Sequence, residues 1–93
     1  MLPEEQILIL ARLRSAEGHL DSVIGMVETE QNCIKVLRQL HAVKAALHAS
    51  GHLILYYQVQ QSLETGCYNA CPEKRSAEMR RLVDLYRFYL MLA

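Results

Sequence analysis

The side chains able to do chemistry in this chain are three cysteines and a strip of histidines. Cys67 and Cys71 form a CxxxC pair in a stretch bounded by Gly66 and Pro72. Thiolates at that spacing can ligate zinc or a cuprous ion, or close a reversible disulfide. Two thiols do not complete a structural zinc site, which takes four ligands; they could join Cys33 of a neighbouring subunit in a relocated thiolate site. The alternative is a pair of incidental loop cysteines. Cys33 itself opens a stretch rich in helix formers, with Lys35 and Arg38 close by. A thiol at a helix N-terminus beside cations is a candidate ligand or redox group; otherwise it is a small buried hydrophobe.

His41, His48 and His52 fall within about 40° of one another on a helical wheel. His48 and His52, at i and i+4, are spaced to hold a metal between them, and the plainer reading is a polar flank at a subunit contact. Tyr56, Tyr57, Tyr86 and Tyr89 recur at helical spacing and read as packing residues. The chain has no Gly-rich phosphate loop, no Ser/His/Asp set and no paired carboxylates in an apparent cleft, so it does not read as an enzyme.

The elements that must carry these groups are helical. Pro3, followed by Glu4 and Glu5, marks a helix start, with proline in the first turn and acids at the positive dipole end. A helix over about 3–28 follows, with Ile7, Leu10, Leu13, Leu20, Ile24 and Val27 at helical steps and Gly18 and Gly25 admitting the close approach of another helix. Residues 29–32 form a polar joint, and Asn32 is positioned to cap a second helix over about 32–63. That helix, roughly 45 Å long at 1.5 Å per residue, carries Val36, Leu37, Leu40, Val43 and Leu47 as one buried face. Residues 64–72 read as a loop with Gly66 as a C-cap. A third helix over about 73–92 would bury Leu82, Val83, Leu85, Tyr86, Tyr89 and Leu90.

A 93-residue chain is one domain, and at this size it buries only about 60% of its unfolded surface. With 52% hydrophobic residues, one Phe and no Trp, the surplus is aliphatic, which favours homo-oligomerisation. The long central helix, too long for two short partners, points to an antiparallel helical dimer or a larger assembly. Net charge is zero but uneven: residues 1–31 hold Arg12 and Arg14 against six acids, whereas residues 32–63 hold Lys35, Arg38 and Lys44 with no acid. Any affinity for nucleic acid must therefore come from a local patch. No stretch has the apolar length of a membrane span, and the N-terminus has no signal-peptide pattern. Three cysteines without an export signal read as reduced thiols of the cytoplasm.

Arg12-Leu13-Arg14 with Glu17-Gly18, then Cys33-Ile34, Val36-Leu37, Gln39 and Ala42-Val43-Lys44-Ala45-Ala46-Leu47, resemble the copper-sensing repressor family (CsoR/RcnR/FrmR). The resemblance covers residues 12 to about 62. It implies an all-α, three-helix subunit, an antiparallel dimer on the second helix, and a dimer-of-dimers tetramer. It also implies a cytoplasmic repressor that releases operator DNA when a metal or reactive small molecule binds. Members of the family place one ligand at the position of Cys33 and two more, from the partner subunit, at the positions of Gln58 and Ser62. A soft cuprous ion prefers thiolate or imidazole, so neither Gln58 nor Ser62 is a good ligand. Glu78 falls where the copper branch has an acidic residue near the site. The persulfide-sensing branch needs a second cysteine where Ser62 stands, and the formaldehyde-sensing branch an amino-terminal proline, whereas Pro3 lies behind Met1 and Leu2.

The expectation is thus a repressor-type regulator that keeps only Cys33 of the metal triad. It would use Arg12, Arg14 and Lys44 on DNA phosphates and respond through altered metal or thiol chemistry. Copper or zinc at a non-standard site, with Cys67, Cys71, His48 and His52 as candidate donors, or no metal, remain open. The rival is an oligomeric interaction module that kept the scaffold and lost both metal sensing and operator binding.

Overall fold

Proline begins two of the helices of this chain, where its missing N–H costs nothing and its fixed φ suits the first turn. The computed structural model describes residues 1–66 and 68–92. Within them run three α-helices and no strand: α1, Pro3–Glu28; α2, Cys33–Thr65; and α3, Pro72–Leu92. Helix α2 extends two residues past the predicted Leu63, and α3 starts on Pro72 itself rather than after it. None of the helices is long and apolar enough to cross a membrane.

The caps explain the boundaries. Glu5 Oε1 accepts the N–H of Leu2 at 3.2 Å, and Asn32 Oδ1 accepts that of Ile34 at 2.9 Å, as expected of Asn32. Helix α1 ends in a Schellman arrangement: Gln31 N–H donates to Met26 O at 3.0 Å and Glu30 N–H to Val27 O at 3.1 Å. The residue forced into the left-handed region there is Glu30, at φ 53°, where glycine is the usual occupant. At the end of α2, Gly66 N–H donates to Ser62 O at 2.9 Å.

Helices α1 and α2 form an antiparallel hairpin, tied by Met1 N to Gln61 Oε1 at 3.0 Å and by His19 Nε2 with Gln39 Oε1 at 2.7 Å. Its seam repeats every seven residues: Ile9, Ala16 and Val23 on α1, and Val43 and Ser50 on α2, are buried, with Val36 and Tyr57 half-buried in the same series. That is the period of left-handed helix pairs. Helix α3 folds back on the C-terminal half of α2 and does not pack on α1.

The subunit measures 60 × 26 × 13 Å with a radius of gyration of 18.0 Å. A compact chain of this length would have about 12 Å. The shortest dimension is close to one helix diameter, so this is a single layer of helices, whereas a domain needs two to enclose a core. This is why several faces expected to be buried lie open within the subunit. On α2, Leu37 is 58% exposed, with Leu40 and Leu47 also exposed, so the predicted face splits: Val43 is buried and Val36 half-buried. On α1, Ile7, Leu10, Leu13, Leu20, Ile24 and Val27 are exposed; Ile9, Ala16 and Val23 make the contact instead. On α3, Val83, Tyr86 and Leu90 are exposed, whereas Leu82, Leu85 and Tyr89 are half-buried. Among the described residues, and leaving aside each glycine's chain neighbours and the adjoining backbone of α1, nothing comes within 4 Å of a Cβ built at Gly18 or Gly25, so the close helix approach expected there is not made by α2 or α3.

Candidate functional site

Ser62 sits in the last turns of α2 with 1% of its surface exposed, facing α3. Its Oγ donates to Glu78 Oε1 at 2.5 Å, and Arg81 Nη2 donates to the same Ser62 Oγ at 3.0 Å. Arg81 also reaches Glu78 Oε1 through Nη2 at 2.6 Å and Nε at 3.2 Å. Serine, carboxylate and guanidinium thus close a ring across the two helices. The two ionic members are one helical turn apart on α3, a spacing that brings i and i+3 side chains together.

Gly66 makes room for this ring. A Cβ at Gly66 would collide with Glu78 Cγ and lie 2.9 Å from its Cδ. The Arg81 hydrogen bonds, and then that of Ser62, hold the Glu78 carboxyl below the usual carboxylate range against a smaller opposing effect of burial. The same Glu78 contact raises the Arg81 guanidinium above its ordinary value. Gln58 lies one turn before Ser62 and shares with Arg81 an apolar groove of about 270 Å³ whose lining includes Ile54, Leu85 and Phe88.

A cuprous ion fits this corner poorly. Gln58 offers an amide and Ser62 a hydroxyl already committed to hydrogen bonds, neither of them a soft donor. Arg81 also places a permanent positive charge against Ser62.

Cys33 is the first residue of α2 and is exposed. It is 25 positions from Gln58 and 29 from Ser62 on one continuous helix, a separation of roughly 38–44 Å at 1.5 Å per residue. Within a subunit these residues cannot share a ligand. Cys71, a free thiol, lies just before α3, beyond the opposite end of α2 from Cys33. Its Sγ donates to Glu73 Oε2 at 3.0 Å, which lowers the Glu73 pKa, and its N–H donates to Asn69 Oδ1 at 2.9 Å. Cys67 lies outside the described residues.

His48 and His52 are brought together by a residue the sequence marked only as packing. The Tyr89 hydroxyl lies 3.3 Å from His48 Nε2 and 3.2 Å from His52 Nδ1, with its ring over Gly51. His41, two turns before His48, is exposed and shares none of these contacts. Among the described residues, no three side chains drawn from His, Cys, Asp and Glu gather as metal ligands.

The three candidate phosphate-contact residues are all exposed. Arg12 and Arg14, two positions apart on an unbroken helix, project about 200° from each other, so one flat surface cannot engage both equally. Lys44 lines a cavity of about 420 Å³ that all three helices border, with Leu20 from α1 and Tyr89 from α3.

A profile of the family described as metal-sensitive transcriptional repressor matches residues 5–87. The copper-sensing transcriptional repressor CsoR of Mycobacterium ulcerans is 33% identical over 89 residues, covering 94% of this chain and 72% of that protein. The CsoR of Mycobacterium tuberculosis (strain H37Rv) is 27% identical over 79 residues, covering 85% of this chain and 64% of its own length. Among solved structures, a variant of the formaldehyde-responsive regulator FrmR from Salmonella enterica serovar Typhimurium superposes with a TM-score of 0.79 at 25% identity. That match covers 95% of this chain and 97% of the other. This chain belongs to the metal-sensitive transcriptional repressor family.

Proposed function

We propose that this chain is an oligomeric, operator-binding repressor in which the Ser62–Glu78–Arg81 ring has replaced the metal-binding half of the family's sensing site. The observation that carries this reading is the Arg81 guanidinium, donating to Ser62 Oγ at 3.0 Å at the position where the resemblance places a ligand. A fixed cation there disfavours a cuprous ion by charge, and the serine disfavours it by softness. Cys33 is the part of the triad that survives, and it is exposed, so the response passes through thiol chemistry or through a metal held elsewhere. The open apolar faces of α1, α2 and α3 support assembly into an antiparallel dimer and a tetramer, in which Cys33 of one subunit meets the Ser62 end of its partner.

Arg12, Arg14 and Lys44 would supply phosphate contacts, with no direct reading of base sequence. A salt-titrated mobility-shift assay on the DNA upstream of its own gene tests this. Binding should weaken steeply with salt, and Lys44→Ala should lower both affinity and salt slope. Absence of binding even at low salt would favour the rival reading, a scaffold that no longer contacts DNA.

A further inference from the structure

We propose that His48, His52 and Tyr89 form a three-donor site for a borderline divalent metal ion, with zinc as the best match, separate from the Cys33–Gln58–Ser62 positions. It stands whether or not the chain binds operator DNA.

The geometry is specific. His48 and His52 are one turn apart on α2, and the Tyr89 oxygen from α3 lies 3.3 Å from Nε2 of the first and 3.2 Å from Nδ1 of the second. As hydrogen bonds these are long, since the usual donor–acceptor distance is about 2.9 Å. They match two edges of a ligand tetrahedron, because donors at about 2.0–2.1 Å from a zinc ion are about 3.3 Å from each other. Ring packing contributes as well: Tyr89 meets His52 edge-on, at 64° and 6.0 Å, and is tilted 31° to His48 at 5.6 Å, but ring contact alone does not require the hydroxyl to face both imidazole nitrogens.

Donor chemistry selects the ion. Two imidazoles and a phenol oxygen offer no thiolate, so a cuprous ion is disfavoured and zinc or another borderline divalent ion favoured. Three protein donors leave a fourth position for water, as in zinc sites that exchange ligands. On binding, the metal–oxygen bond replaces the Tyr89 O–H bond and one proton goes to solvent. Lys44, one turn before His48, lines the adjoining cavity and opposes the ion, as does Arg87, two positions before Tyr89 on α3. No carboxylate of residues 32–63 competes for it, because that span contains none. Since the donors come from α2 and α3, a bound ion would pin α3 onto the central helix.

The test uses untagged full-length protein with Cys33, Cys67 and Cys71 replaced by serine, and wild-type protein with its thiols alkylated as a second background. Zinc is titrated against a chromophoric chelator, and cobalt is titrated in parallel while its visible absorption is followed. We expect one zinc per subunit and an intense, tetrahedral-type cobalt spectrum. His48→Ala and His52→Ala should each weaken zinc at least about tenfold. Tyr89→Phe, which keeps the ring and so the packing, should weaken it by a similar factor and alter the cobalt spectrum. Circular dichroism of each variant shows whether it has kept its helices. Absence of zinc binding in both backgrounds, or affinity unchanged in any one of the three variants, would overturn the proposal. Neither result bears on the operator-binding assay, which fails or succeeds on its own.

Discussion

Arg81 on α3 donates to Ser62 on α2 at 3.0 Å, so a guanidinium stands across the helix pair against a buried hydroxyl. Around it the helix pair is tied by groups of this one subunit: Ser62 from α2, Glu78 and Arg81 from α3, with Gly66 leaving the space they need.

Enlarging Gly66 tests that space. In Gly66→Ala the new methyl meets Glu78, so either the carboxylate moves off Ser62 or the end of α2 shifts; overpacking of this kind costs about 1–3 kcal/mol. Ser62→Ala removes one buried hydroxyl that both ionic partners use and should cost about 1 kcal/mol. Urea unfolding of the two variants at fixed protein concentration measures both. A Gly66→Ala midpoint at or above wild type would show that the ring does not need the space.

Acid should loosen α3. The Glu78 carboxyl is held below its ordinary value, first by Arg81 and then by Ser62. A depressed carboxylate contributes stability in full above its unfolded pKa of about 4.3, and that contribution fades as pH falls through the lower folded value. Raised Arg81 contributes throughout this range, because it stays protonated. Unfolding midpoints should therefore drop below about pH 4 more steeply in wild type than in Glu78→Gln. Parallel pH curves for the two proteins would contradict this.

Glu30 is a site where the protein can be improved. It takes the left-handed position of the α1 Schellman motif at φ 53°, which penalises any residue with a Cβ. Glu30→Gly should stabilise the α1–α2 turn by about 0.5–1 kcal/mol, read as a raised denaturation midpoint with an unchanged m-value.

The open apolar stripe of α2 should be an intersubunit surface. Leu37 and Leu47 are 58% and 47% exposed in the subunit, more than a stable 93-residue chain would leave on a central helix. Analytical ultracentrifugation should show a dimer or tetramer for wild type, and Leu47→Glu should shift it towards smaller species. A wild-type monomer at micromolar concentration would remove the basis for pairing Cys33 with a partner's Ser62.

Much of this was readable from residue order. The three helices, the Asn32 cap and the Gly66 cap follow from local rules about periodicity, proline and capping groups, which act within a turn or two. Which apolar residues face inward was less legible. The choice of Ile9–Ala16–Val23 over Leu10, Leu13 and Leu20 depends on where α2 lies, and an apolar face that meets a sister helix looks the same in sequence as one that meets another subunit. The Glu78–Arg81 pair was readable as i and i+3, but its junction with Ser62 crosses a loop and 16 positions, and no local pattern carries it. Tyr89 reads as packing in the sequence, and its ring does pack; its hydroxyl finds His48 and His52 only once α3 folds back on α2. Glu30 gave no warning, since the left-handed position is recognised in sequence by the glycine that is absent here.

The central claim is that Arg81 and its partners have displaced cuprous sensing from the inherited position. It is tested most directly by adding cuprous ion, anaerobically and at one equivalent per subunit, to the complex of this protein with its upstream DNA. The account predicts that the complex persists, and that Ser62→Cys combined with Gln58→His and Arg81→Ala makes it dissociate. Release of wild-type protein from DNA by one equivalent of cuprous ion would contradict it.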